Sequence, residues 1–146
     1  MQTGLYTLAF VAGLLLTVQV GLNAALRNAF GNPETAALAN FMVGTAGLLA
    51  YLLITRAQWP GRVALAGAPA WAWLGGLLGA FYVASSVVVG PRLGAAALLA
   101  LTVFGQLVAS LVVDNYGWLG FPHQPLTVMR LVGAALLLAG VVLIVR

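Results

Sequence analysis

The stretch Ala95–Val113, AAALLALTVFGQLVASLVV, runs 19 residues without a charge. As a helix rising ~1.5 Å per residue it would be ~28 Å long, close to the ~30 Å hydrocarbon core of a bilayer. Leu, Ala and Val fill it continuously, where a barrel strand would alternate. Lipid offers no partner to open backbone groups, and a helix satisfies its own. Four further stretches of the same apolar kind flank it: Leu5–Leu26, Ala36–Ile54, Trp71–Val89 and Leu126–Val145. The expected fold is therefore an all-α membrane protein of five transmembrane helices, a single transmembrane domain over residues 1–146.

Composition agrees. Of 146 residues, 63% are hydrophobic and 5% charged, whereas a soluble domain carries roughly a quarter charged residues. All six basic residues are arginines, scattered singly as Arg27, Arg56, Arg62, Arg92, Arg130 and Arg146. Nucleic-acid binding needs a clustered basic face, and none exists. Without cysteine there is no thiolate chemistry and no Cys-based metal site. Nothing before Leu5 is basic, so the first apolar run reads as a permanent helix, with a cleaved leader the weaker alternative.

Turn chemistry separates the runs. Gly31-Asn32-Pro33 ends the first, and Glu34-Thr35 opens the second. Val63–Ala68 is apolar enough to lie along the interface, and Gly90-Pro91-Arg92-Leu93-Gly94 reads as a tight turn. Trp59, Trp71, Trp73, Tyr116 and Trp118 sit near segment ends, at headgroup level. Five spans put the termini on opposite sides. Arg27, Arg92 and Arg146 then face Arg56, Arg62 and Arg130, three against three. The positive-inside rule gives almost no preference. Either one orientation is set by loop context, or copies insert both ways and pair antiparallel.

The opening stretch also carries a polar stripe: Thr102, Gln106 and Ser110, continued by Asp114, recur every fourth residue and share a face. Gln19, Asn23 and Arg27 do the same on the first helix. Helix two adds Asn40 and Thr45, and helix three adds Tyr82, Ser85 and Ser86. Ser and Thr often bond their own helix, which is the reading for Thr45, Thr102 and Ser110. Gln19, Asn23 and Gln106 carry both donors and acceptors; they either line a cavity or bond between helices. Glu34 and Asp114 fall at helix ends, where capping or surface roles outweigh coupling, with Asp114 the first choice if a carboxylate participates. His123 is a lone loop histidine. Gly75 and Gly79 make a small-xxx-small face, and Gly133 and Gly140, seven apart, suggest a seam with a second copy. No Ser/His/Asp grouping, metal spacing or phosphate loop is present, so no enzyme, cofactor or metal is expected.

Several motifs resemble one family. Gly21-Leu22-Asn23-Ala24-Ala25-Leu26-Arg27, Gly31-Asn32-Pro33-Glu34 and Asn40-Phe41-Met42-Val43-Gly44 are similar to the YdcZ-like proteins. So are Gly75–Val83, Gly90–Gly94, Phe104-Gly105-Gln106, Asp114-Asn115-Tyr116-Gly117 and Arg130-Leu131-Val132-Gly133. These are small bacterial membrane proteins of the drug/metabolite transporter superfamily. The resemblance implies a five-helix unit in the inner membrane that pairs as an antiparallel homodimer, equivalent to a fused ten-helix chain. It implies Gly133 and Gly140 as the dimer seam. The related small multidrug resistance proteins couple protons through a glutamate on helix one, where this chain has Gln19 and Asn23. The expected function is transport of a small polar, neutral or zwitterionic solute by alternating access. The substrate-binding candidates are Gln19, Asn23, Asn40, Tyr82, Ser85, Ser86 and Gln106. Expected partners are the lipid bilayer, the solute and a second copy. The rival reading is a non-transporting helical scaffold or regulatory subunit.

Overall fold

The computed structural model describes residues 2–146. Its helices are α1 (Gln2–Phe30), α2 (Pro33–Thr55), α3 (Arg62–Gly67), α4 (Leu74–Leu93), α5 (Ala95–Tyr116) and α6 (Val128–Val145), with 3-10 turns at Ala70–Trp73 and Trp118–Gly120. Among the described residues five helices are long and apolar enough to cross a membrane, the third being Ala70–Leu93. The five-span, all-helical reading of the sequence holds. The apolar Val63–Ala68 stretch forms the short helix α3.

The ends differ from the sequence reading. The first span is longer at both ends, and Asn32 is the N-cap of α2 with Pro33 at its first position. The Asn32 Oδ1 accepts from the Glu34 N–H at 2.8 Å and the Thr35 N–H at 3.0 Å, satisfying two of the donors left free at this helix start, where Pro33 has none. The expected turn at Gly90–Gly94 is narrower than predicted. Helix α4 runs through Gly90 and Pro91 to Leu93, and Gly94 alone breaks it, at φ 82° and ψ 157°. A helix in lipid gains by continuing, because every backbone group left open costs several kcal/mol, on the order of 2–7. The arginines stand at helix ends. Arg27 and Arg92 lie in last turns, where a cation favours the helix dipole, and Arg56 is the C-cap of α2. Arg130 is in the first turn of α6.

The chain forms two compact units, Met1–Pro91 and Arg92–Arg146. In the first, α1 and α2 are joined by Gly31-Asn32 alone and therefore run antiparallel. The core gathers Ala36, Ala37, Val83 and Val87, with Leu26, Tyr82 and Ala84 packed on it. Ala36 is 0% exposed, its small side chain packed in a cluster with Val83 and Val87 of α4 and Leu26 of α1. Burial is thus concentrated where α1 ends and α2 begins. Toward the other end the helices open, and α2 from Phe41 to Tyr51 is exposed throughout. Gly75 and Gly79 do not mark a close approach. A Cβ on Gly75 would meet nothing within 4 Å, and on Gly79 only the Phe41 ring at 3.8 Å.

In the second unit α5 and α6 pack antiparallel. Asp114 meets Arg130 at one end, while Phe104 and Leu138 line a shared groove farther along. Val141 on α6 and Leu111 on α5 are buried. A Cβ added at Gly133 or Gly140 would meet nothing within 4 Å, so their side of α6 is open in the protomer.

Candidate functional site

Where the first unit begins to open, a groove of about 360 Å³ separates its helices. Gln19 of α1, Asn40, Phe41, Val43, Gly44, Thr45 and Leu48 of α2, and Val83 of α4 line it. Gln19 stands three residues past the middle of α1, and Asn40 four before the middle of α2. At ~1.5 Å per residue both are ~5 Å from mid-helix. Because α1 and α2 are antiparallel, they are displaced toward the same end. Two carboxamides thus share one depth in a wall that is otherwise mostly apolar, and no charged side chain lines the groove.

Local sequence explains the shape. Phe41, Gly44, Thr45 and Leu48 fall three and four apart, on one face of α2. Gly44 contributes no side chain, and an added Cβ would point into open space. The α2 side of the groove is exposed from Phe41 to Leu48, so water, a second copy or an entering solute can meet each carboxamide.

The other predicted residues are distributed around this groove or apart from it. Asn23, one turn beyond Gln19, is 2% exposed, in the packed end of the unit. Tyr82 packs on the alanine-valine core. Ser86 is buried, and its hydroxyl donates to the Val83 carbonyl at 2.8 Å, a bond within its own helix. Ser85 is half-buried. Gln106 belongs to the second unit, where it is exposed on α5. Thr102 behaves as expected of a helix threonine, donating to Leu98 and Leu99 carbonyls at 3.0 and 3.1 Å. Thr45, which the sequence presents as helix glue, instead lines the groove. Phe41, Gly44 and Val83 join it as lining residues that polarity alone does not mark. For those on α2, the i, i+3, i+4 spacing around Asn40 is the available signal.

A second polar cluster sits at the α5–α6 connection. Arg130 Nη2 donates to Asp114 Oδ2, with the two side chains 30% and 22% exposed. Arg130 Nη1 donates to the Gln124 carbonyl at 3.1 Å. The Gln124 N–H donates to the Asp114 carbonyl at 2.8 Å, and the Leu126 N–H to Asn115 Oδ1 at 3.0 Å. Asp114 and Asn115 therefore pin the whole returning loop. His123 is exposed, but its Cβ lies 3.4 Å from where a Gly117 Cβ would be, so this glycine at φ 63° also leaves room for the loop. Tyr116 and Trp118 stack at 4.8 Å beside it.

Comparison with known proteins places this architecture. Residues 4–143 match the family described as "Putative inner membrane exporter, YdcZ". The inner membrane protein YdcZ of Escherichia coli (strain K12) is 30% identical over 142 residues, covering 96% of this chain and 95% of the relative. No solved structure matches the chain. On a chain with five helices apolar enough to cross a membrane, a match along nearly the whole length makes one assignment: the chain belongs to the YdcZ family of multi-pass inner-membrane transport proteins.

Proposed function

We propose that the protein carries a small polar solute, neutral or zwitterionic, across the inner membrane, with the Gln19–Asn40 groove as its binding site. One observation carries this reading: two carboxamides share one depth near mid-helix, in a groove that no charged residue lines. Bare amides in hydrocarbon are costly, and a solute with donors and acceptors of its own satisfies them. A solute with net charge would find no counter-charge there and would pay its full desolvation, whereas a zwitterion brings its own counter-charge. Asn23, Tyr82, Ser85 and Ser86 shape the closed end of the same unit.

The working form is two copies in inverted orientation, alternating access around the midplane. Three features support it. The arginines divide three against three. The Gly133–Gly140 side of α6 is open to a partner. Gln106 is exposed near the middle of α5, where a wet cavity or a second copy must meet its carboxamide.

Proteoliposomes challenged with a panel of radiolabelled small zwitterions and neutral polar solutes test the site. Uptake by the natural chain is expected to fall about tenfold or more in Gln19→Leu and Asn40→Leu, the loss of one or two hydrogen bonds to the solute. Unchanged flux in both variants removes the groove from the transport path.

A further inference from the structure

The polar stripe of α5 ends in a small pocket of about 130 Å³, lined by Ala109, Ser110, Val113, Asp114, Leu119 and Phe121. One face is a turn and a half of α5. The other is the returning loop, held in place by backbone that few residues adopt. Leu119 sits at φ 57° between Gly117 at 63° and Gly120 at 85°. The hydrogen bonds from Gln124 and Leu126 to Asp114 and Asn115 fix this wall against the helix.

The chemistry of the lining is selective. Ser110 and Asp114 are one turn apart on the same face of α5, and the remaining lining residues are apolar. Arg130 engages Asp114 through Oδ2. An ionised carboxylate has about four acceptor sites, so capacity remains on Oδ1. Arg130 balances this carboxylate from outside the lining, so an anion in the pocket would meet the carboxylate and not the guanidinium, and an apolar group would strip water from the carboxylate without replacing its bonds. A primary ammonium brings three donors, enough for Asp114 and Ser110 together. The pocket is small and open on its outer side, so a short primary ammonium can enter it.

We propose that this pocket binds the ammonium group of a small amine. Two sources share that chemistry: the ammonium end of a zwitterionic solute on its way to or from the membrane, and the headgroup of an ethanolamine lipid, since Tyr116 and Trp118 stand at headgroup depth. The solute source rests on the transport reading above and makes the pocket an interfacial station on the Asp114–Ser110–Gln106 stripe.

Equilibrium binding of radiolabelled ethanolamine to the full chain in phosphatidylcholine nanodiscs tests the proposal. Saturable binding is expected. Ala109→Phe, which fills the pocket and leaves the ion pair intact, should weaken it about tenfold or more, and Leu14→Ala, at a position that lines neither this pocket nor the Gln19–Asn40 groove, should leave it unchanged. Asp114→Asn should weaken it similarly, and if that variant loses its loop structure, Ala109→Phe still decides. In nanodiscs containing phosphatidylethanolamine, loss of free ethanolamine binding supports the lipid source, and undiminished binding supports the solute. Absence of saturable binding in phosphatidylcholine, or binding indifferent to Ala109→Phe, overturns the proposal. Flux without this binding would leave the transport reading standing alone, and binding without flux would do the reverse.

Discussion

Asn32 shows how one side chain can set a boundary between two membrane helices. Its Oδ1 takes two backbone N–H groups of α2, and Pro33 behind it has no N–H to satisfy. Replacing it with Ala frees both donors near the packed Ala36–Ala37 end, where the first unit has its core. Asn32→Ala should lower stability by about 1 kcal/mol, read as a lower melting temperature in detergent, while Asn32→Asp should keep most of it. The cap is within reach of the sequence, since Asn-Pro-Glu after a glycine is a helix-start pattern. The partners of Gln19 are not. Its polarity in an apolar run marks it, but which residue of α2 it shares a groove with depends on the rotation of both helices, which apolar periodicity does not fix. The Asp114–Arg130 pair is hidden for a related reason: sixteen residues separate them, and only the folded loop brings them together.

At the scale of elements, the five spans are legible because length and continuous hydrophobicity decide them, and their ends are not. Gly90-Pro91 looks like a turn on propensities drawn from water. In the structure Pro91 rides in the last turn of α4, and the chain waits until Gly94 to break. That glycine carries the whole connection between α4 and α5, at φ 82° and ψ 157°, a region in which side chains are strained by about 1–3 kcal/mol. Gly94→Ala should therefore destabilise the protein by that amount in a thermal or denaturant titration. Pro91→Ala, where the helix already continues, should cost far less. The glycine pairs divide in the same way. Gly75 and Gly79 look in sequence like a packing face, yet nothing meets Gly75 and only the Phe41 ring reaches Gly79, while Gly133 and Gly140 lie on a face open in the protomer. Small-residue spacing announces a face that permits close approach, and cannot say whether a neighbour uses it.

The whole molecule has an apolar exterior, an odd number of spans and amides that need company inside the membrane. Inverted pairing would answer all three: it balances the arginines, covers the open side of α6, and can bring Gln106 to a shared interior. The central claim beneath it is that the Gln19–Asn40 groove is wet and reachable by solutes. Because the chain has no cysteine, a single one can be placed and read without background. The decisive measurement is labelling of Gln19→Cys in membranes by a small, charged, membrane-impermeant thiol reagent. The control is Leu14→Cys, about 140° round α1 and exposed on that helix. The account predicts that the cysteine at 19 reacts and the one at 14 does not, and that the transported solute slows the reaction at 19. Equal inertness of both positions would contradict it, because a groove that water cannot enter carries nothing.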